Sequence, residues 1–231
     1  MSKSKKVDTS DNIELVENAL SRTEQFIEDN KKILTIIVVS IVIIVGGYLG
    51  YKKLYVAPME DEAKSQMFVA EQYFAKDSFK LAIKGDGNYL GFLGIIDQYG
   101  VTKAGNLAHY YAGISYLHLG QFQDAIDQLK KFDADDKMIA PVALGATGDA
   151  YLELHNNSES ISYYKKAIEK SGDNKFIAPI YLMKLGFAYE QENDYQKALE
   201  TYQKIDNEFG KTNEGRNIEK YIQRAKIKLG K

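Results

Sequence analysis

The chain has 231 residues, 45% of them apolar, enough for one folded domain with a core plus appendages. A net charge of −2 gives no electrostatic basis for nucleic-acid binding. The absence of cysteine excludes disulfides, thiolate zinc sites and cysteine nucleophiles.

The first 32 residues hold six Lys/Arg and seven Asp/Glu. Ile13, Val16, Leu20 and Ile27 recur near helical spacing after an Asp11–Glu14 capping pattern, so a short amphipathic helix is expected in a tail spanning residues 1–32. Residues 33–52 open with the uncharged run ILTIIVVSIVIIVGGYLGY. Nineteen helical residues reach roughly 29 Å, close to the thickness of a bilayer's hydrocarbon layer. Lys31, Lys32, Lys52 and Lys53 flank the run, and Tyr48, Tyr51 and Tyr55 stand where an interfacial aromatic belt belongs. The apolar stretch is too long for a cleaved signal and no small-residue cleavage site follows. A retained transmembrane anchor is the reading, with the N-terminus inside by the modest excess of basic residues on that flank. Gly46-x-x-x-Gly50, with Gly47 beside it, has the small-residue spacing of helix–helix packing in membranes.

Residues 53–231 are self-similar. Gly113-x-x-Tyr116, Gly148-x-x-Tyr151 and Gly186-x-x-Tyr189 are spaced by 35 and 38 residues, and Ile139-Ala140-Pro141 returns as Ile177-Ala178-Pro179. A degenerate earlier unit has Ala70, Tyr73, Phe79 and Ala82 at the same positions. It is followed by the turn Gly85-Asp86-Gly87-Asn88 and an insertion of about nine residues relative to a repeat of about 34. The period, the small residue and the tyrosine three positions later predict an all-α tetratricopeptide-like superhelix of about four repeats, with the charged segment from Gly215 to Lys231 as a capping helix.

No catalytic residue, cofactor site or metal site emerges. His109, His118 and His155 lack ligand spacing with carboxylates. Asp133, Asp135 and Asp136 lack the glycine and spacing of a calcium loop, and read as capping residues. The expected working surface is a groove lined by the first helix of each repeat, through Met67 and Phe74, then Leu107, Tyr110, Ile114 and Leu117, then Val142 and Leu152, then Ile180, Met183 and Phe187, with about half of these side chains expected in the inter-helix core instead. Glu71, Asp149, Glu153 and Glu190 would give it an acidic rim. Such a surface suits varied peptide segments.

Several motifs go beyond generic repeats: Ala70-Glu71-x-Tyr73-Phe74, Asp77-Ser78-Phe79-x-x-Ala82, Gly91-Phe92, and Thr102-x-Ala104-Gly105-Asn106-Leu107-Ala108 leading to Tyr110-Tyr111-Ala112-Gly113. Behind a lysine-flanked anchor, this combination resembles the YfgM family of bacterial inner-membrane proteins with a periplasmic tetratricopeptide-like domain, in its tyrosine-rich Bacteroidota form. The resemblance implies a non-enzymatic accessory subunit of the SecYEG translocon. Its partners would be a PpiD-like membrane-anchored isomerase and emerging secretory polypeptides. An envelope scaffold for an outer-membrane assembly or division complex is the alternative.

Overall fold

A computed structural model describes residues 24–231 of the chain, and these fall into two compact units divided between Tyr55 and Val56. The amphipathic helix expected around Ile13, Val16 and Leu20 lies outside the described residues.

In the first unit, helix α1 (Lys31–Tyr51) has no buried residue, and its most apolar stretch reaches a mean hydropathy of 2.6. Length and composition make it a candidate membrane span. Tyr51 and Tyr55 stack 5.4 Å apart. A side chain added at Gly46, Gly47 or Gly50 would meet open space. A π-helical turn, Lys52–Val56, follows α1.

The second unit is built from helices, with one isolated bridge between Gly85 and Leu90 and no strand among the described residues. Its elements are α2 (Ala57–Ala75), α3 (Phe79–Lys84), α4 (Phe92–Tyr99), α5 (Lys103–His118), α6 (Phe122–Leu129), α7 (Ile139–Glu153), α8 (Asn157–Ser171), α9 (Ala178–Gln191), α10 (Tyr195–Phe209), α11 (Asn213–Arg216) and α12 (Glu219–Lys228). Packing is between neighbours: α2 with α3, α4 and α5, then α5 with α6, α7 with α8, α9 with α10, and α10 with α12.

Four helical hairpins share one turn. The carbonyls of Tyr73, Tyr116, Tyr151 and Tyr189 accept the N–H of the residue five positions on, each at 2.9 Å. The residue just before that donor is left-handed in every case: Asp77, Gly120, His155 and Asn193. Only one of these is glycine. Asp, Asn and His tolerate this conformation better than other L-residues, so His155 serves as a turn residue. The donors, Ser78, Gln121, Asn156 and Asp194, stand at the N-cap of the second helix.

Within each hairpin the small residue before the tyrosine allows the two helices to touch. A Cβ at Gly113 would fall 2.5 Å from the Leu129 side chain, at Gly148 2.8 Å from the Tyr164 ring, and at Gly186 2.2 Å from the Tyr202 ring. These three covering residues all lie sixteen positions after their glycine. The alanine expected on the second helix is Ala82, Ala125 and Ala198, each fully buried; in the α7–α8 hairpin Ser160 takes that register instead. In the first hairpin α3 ends at Lys84, before the sixteenth position is reached. The insertion compensates: α4 brings in Phe92, fully buried, its ring stacked on Tyr111 at 5.2 Å and edge-on to Phe74 at 6.3 Å.

Two kinds of corner join the repeats, and both occur twice. Thr102 and Thr212 each donate a hydroxyl to the carbonyl of the aromatic three residues back, Tyr99 or Phe209, and accept an N–H from Gly105 or Gly215. The shared pattern, aromatic-Gly-x-Thr-x-x-Gly, is a repeat signal that the reading by tyrosine and proline passes over. A Cβ at Gly105 or Gly215 would sit 2.2 Å from that same aromatic's carbonyl oxygen. The other corner caps the proline-bearing helices. Asp136 accepts from the N–H of Met138 and Ile139 (both 2.6 Å) and of Ala140 (3.3 Å), and Asn174 accepts from Phe176 and Ile177. Pro141 and Pro179, fully buried in the first turn, lack only an N–H that would have no partner there.

Partial burial pushes the Asp136 carboxyl up, but the three N–H bonds outweigh it and hold it below the usual aspartate range. Its contribution is therefore fully present above the unfolded value of about 4 and is lost as pH falls through the lower folded value. Asp136→Ala is expected to cost about 1 kcal/mol at neutral pH, and the gap between variant and wild type in urea melts should close on acidification.

Candidate protein-binding groove

Leu117 at the end of α5, Leu152 on α7 and Phe187 on α9 line two adjoining cavities of about 660 and 540 Å³ that share Leu152 and Phe187. His118, Phe122 and Glu153 border the first; Gln191, Tyr195, Arg224 and Lys228 border the second. The result is one open groove crossing three successive repeats and ending on α12.

Its floor is polar and fully paired. The Asp149 carboxylate accepts both oxygens' worth of hydrogen bonds from the Lys184 ammonium, at 2.7 and 2.6 Å, and a third from the Tyr164 hydroxyl at 2.7 Å. Burial, then the neighbouring Asp149 charge, push the Tyr164 phenol well above its ordinary pKa, so it remains a donor. One repeat later Arg224 forks onto Glu190 at 3.1 and 2.6 Å, while its guanidinium lies over the Tyr221 ring. Two-point pairing of this kind fixes the geometry of the groove more than it adds stability, because both pairs are partly solvated.

The other residues expected in the groove lie elsewhere. Met67 is 4% exposed and packs with Ala63 and Ala70 in the N-terminal core. Tyr110 packs on Phe132 at 5.5 Å beside the core of Leu129, Ala143 and Ala146, which Ile114 also covers. Met183 covers the C-terminal core. Met67, Tyr110 and Met183 share the position three residues before the small residue of their hairpin. In α7 that position is Gly145, where a Cβ would strike the Tyr181 ring of α9. The position therefore faces the next repeat and not the groove. Phe74 is enclosed by Phe79, Tyr111 and the inserted Phe92.

The expected acidic rim is also revised. Asp149 and Glu190 are neutralised by cations one repeat on. Burial raises the Glu71 carboxyl, with the Tyr111 hydroxyl opposing. Glu153 alone of the four remains exposed at the groove's edge without an ion pair among the described residues. The cation that pairs with Asp149 lies outside the expected rim, and the signal for it in the sequence is a Lys 35 residues after an Asp, one repeat period.

No chemistry gathers around the histidines. The His109 Nδ1 meets Gln128 at 2.8 Å, and His118 stacks flat on Phe79 at 4.4 Å. No group of three metal-capable side chains occurs among the described residues.

Two tetratricopeptide repeat profiles match the sequence, over residues 146–210 and 107–135. No curated protein matches it. Among solved structures, nearly identical TPR-like repeats from Podosopora anserina superpose with a TM-score of 0.59 at 14% identity, covering 74% of this chain and 88% of that one. The MamA protein superposes with a TM-score of 0.53 at 20% identity, covering 73% of this chain and 92% of its own. The repeated hairpin turn, the profile matches and these likenesses make residues 56–231 a tetratricopeptide-repeat fold, a protein–protein interaction module of a typically non-catalytic kind.

Proposed function

We propose that the chain is a single-pass inner-membrane accessory factor of the Sec translocon, with residues 1–32 as a cytoplasmic tail, residues 33–52 as the anchor and residues 53–231 as a periplasmic binding domain. Its partners on this reading are the SecYEG-type channel, a PpiD-like membrane-anchored isomerase and emerging secretory polypeptides, and it performs no catalysis. The observation that carries the reading is the apolar row Leu117, Leu152 and Phe187 on a repeat domain, in a chain that also holds an apolar helix with no buried residue. The motif resemblance to the YfgM family supplies the translocon. Tethering raises the effective concentration of the groove near the channel, so weak contacts suffice.

Leu152 is the side chain on which to test this. Phe187 also packs against the Tyr202 and Tyr221 rings, so its removal disturbs the core, whereas Leu152 lines both cavities and belongs to none of the core clusters. A tagged full-length chain, extracted from native membranes in mild detergent, should bring down channel subunits and the isomerase. Leu152→Gln should reduce that recovery about tenfold while shifting Tm by no more than about 2 °C. Recovery of a different envelope complex, or recovery indifferent to Leu152→Gln, would refute the assignment.

A further inference from the structure

The groove has unlike ends. At the α5–α7 end its unpaired ionic group is Glu153. At the other end it runs onto the C-terminal cap, residues 211–231, which carry seven cations and two carboxylates in a chain whose net charge is −2. Among the described residues, Arg224 is the one cation of the seven held in an ion pair. Lys220, Arg224, Lys228 and Lys231 follow at intervals of four, four and three, which places them along one face of α12 and its end. Arg224 and Lys228 form part of the groove wall itself. The cap's apolar side, Ile218, Ile222 and Ala225, is buried in the C-terminal core, so the basic face is the side it leaves outward.

We infer that the groove takes a partner polypeptide segment in which a short apolar stretch is flanked on one side by acidic residues, the acids lying toward α12. This deepens the reading of the groove as a peptide-binding site and rests on it. Neighbouring helices stand about 10 Å apart, so Leu117 to Phe187 spans roughly 20 Å, which an extended chain covers in about six residues. The apolar side chains seat on Leu117, Leu152 and Phe187. The flanking carboxylates meet the unpaired cations of α12, and Glu153 repels the same charge at the opposite end, which fixes the polarity of binding. An anionic lipid surface would also attract the cap, but Arg224, paired with Glu190, and the unpaired Lys228 line a concave cavity together with Leu152, Phe187, Tyr195 and Gln191, which suits a chain with side chains better than a flat headgroup layer.

The test uses the full-length chain in zwitterionic nanodiscs and three fluorescein-labelled peptides sharing one Leu/Phe core of about six residues, flanked by aspartates, by lysines or by serines, each made in both chain directions. At low salt the acidic peptide should bind about tenfold tighter than the serine peptide, and about 0.5 M salt should abolish the difference. The variant carrying Lys220→Glu, Lys228→Glu and Lys231→Glu should invert the order in favour of the lysine peptide. Inversion requires a folded groove, so a misfolded variant cannot mimic it. Equal binding of all three peptides would overturn the inference while leaving the groove in place. Binding of none would remove the groove reading and the inference together. Equal peptide binding with charge-dependent adherence to anionic vesicles would assign the basic face to a bilayer instead.

Discussion

Phe92→Ala is expected to lower the stability of the repeat domain by about 3–5 kcal/mol, which for a domain of this size corresponds to a fall in Tm of roughly 6–20 °C. The side chain is fully buried, and its ring packs against both Phe74 of α2 and Tyr111 of α5, which also meet each other. Its removal would empty the one place where two first helices are bridged by an element outside the repeat pattern. Gly91 shows how tightly that element is seated: a Cβ there would sit 2.4 Å from the carbonyl oxygen of Ile83. Urea and thermal melts of the variant check the expectation. A loss below about 1 kcal/mol would mean that the insertion is a surface appendage and not part of the core.

Gly186→Leu should destabilise by about 3 kcal/mol, against the trend of helix propensity, which favours leucine over glycine in a helix interior by nearly 1 kcal/mol. The sign is set by Tyr202. Its ring is fully buried, lies 2.2 Å from where a Cβ would be, and is boxed in by Phe187 and Tyr221. It has no open space to swing into. Combining the change with Tyr202→Ala should recover part of the loss, because the new side chain then occupies the vacated volume; a double-mutant cycle with no coupling would show that the glycine is not there for the ring.

Both expectations rest on features that differ in how far the sequence displays them. The small residue and tyrosine of each hairpin are legible because close approach and the shared turn admit few residue types, so they recur at fixed spacing. The prolines recur for the same kind of reason, since the first turn of a helix is where a missing N–H costs least. Of the residues expected in the groove, Leu117, Leu152 and Phe187 come together along the two adjoining cavities, whereas Met67, Tyr110 and Met183 pack against core clusters. Helical spacing says which residues share a stripe; it does not say how far around the helix the next repeat reaches, and here Gly145 against Tyr181 shows that it reaches the position three before the small residue. The charge of the groove is hidden for a related cause. Spacing along one helix displays the carboxylates, whereas their partners Lys184 and Arg224 come from the following repeat, 35 and 34 residues away.

Those two long-period ion pairs give the groove a mechanical character. Each ties a carboxylate on one repeat to a cation on the next, so the floor has no single bond about which it opens. Widening it means pivoting one whole repeat against its neighbour, and the width of the site is a property of the array's curvature. A segment held across Leu117, Leu152 and Phe187 would act as a splint over three repeats. Traction on that segment would then be shared along the stack rather than falling on one side chain.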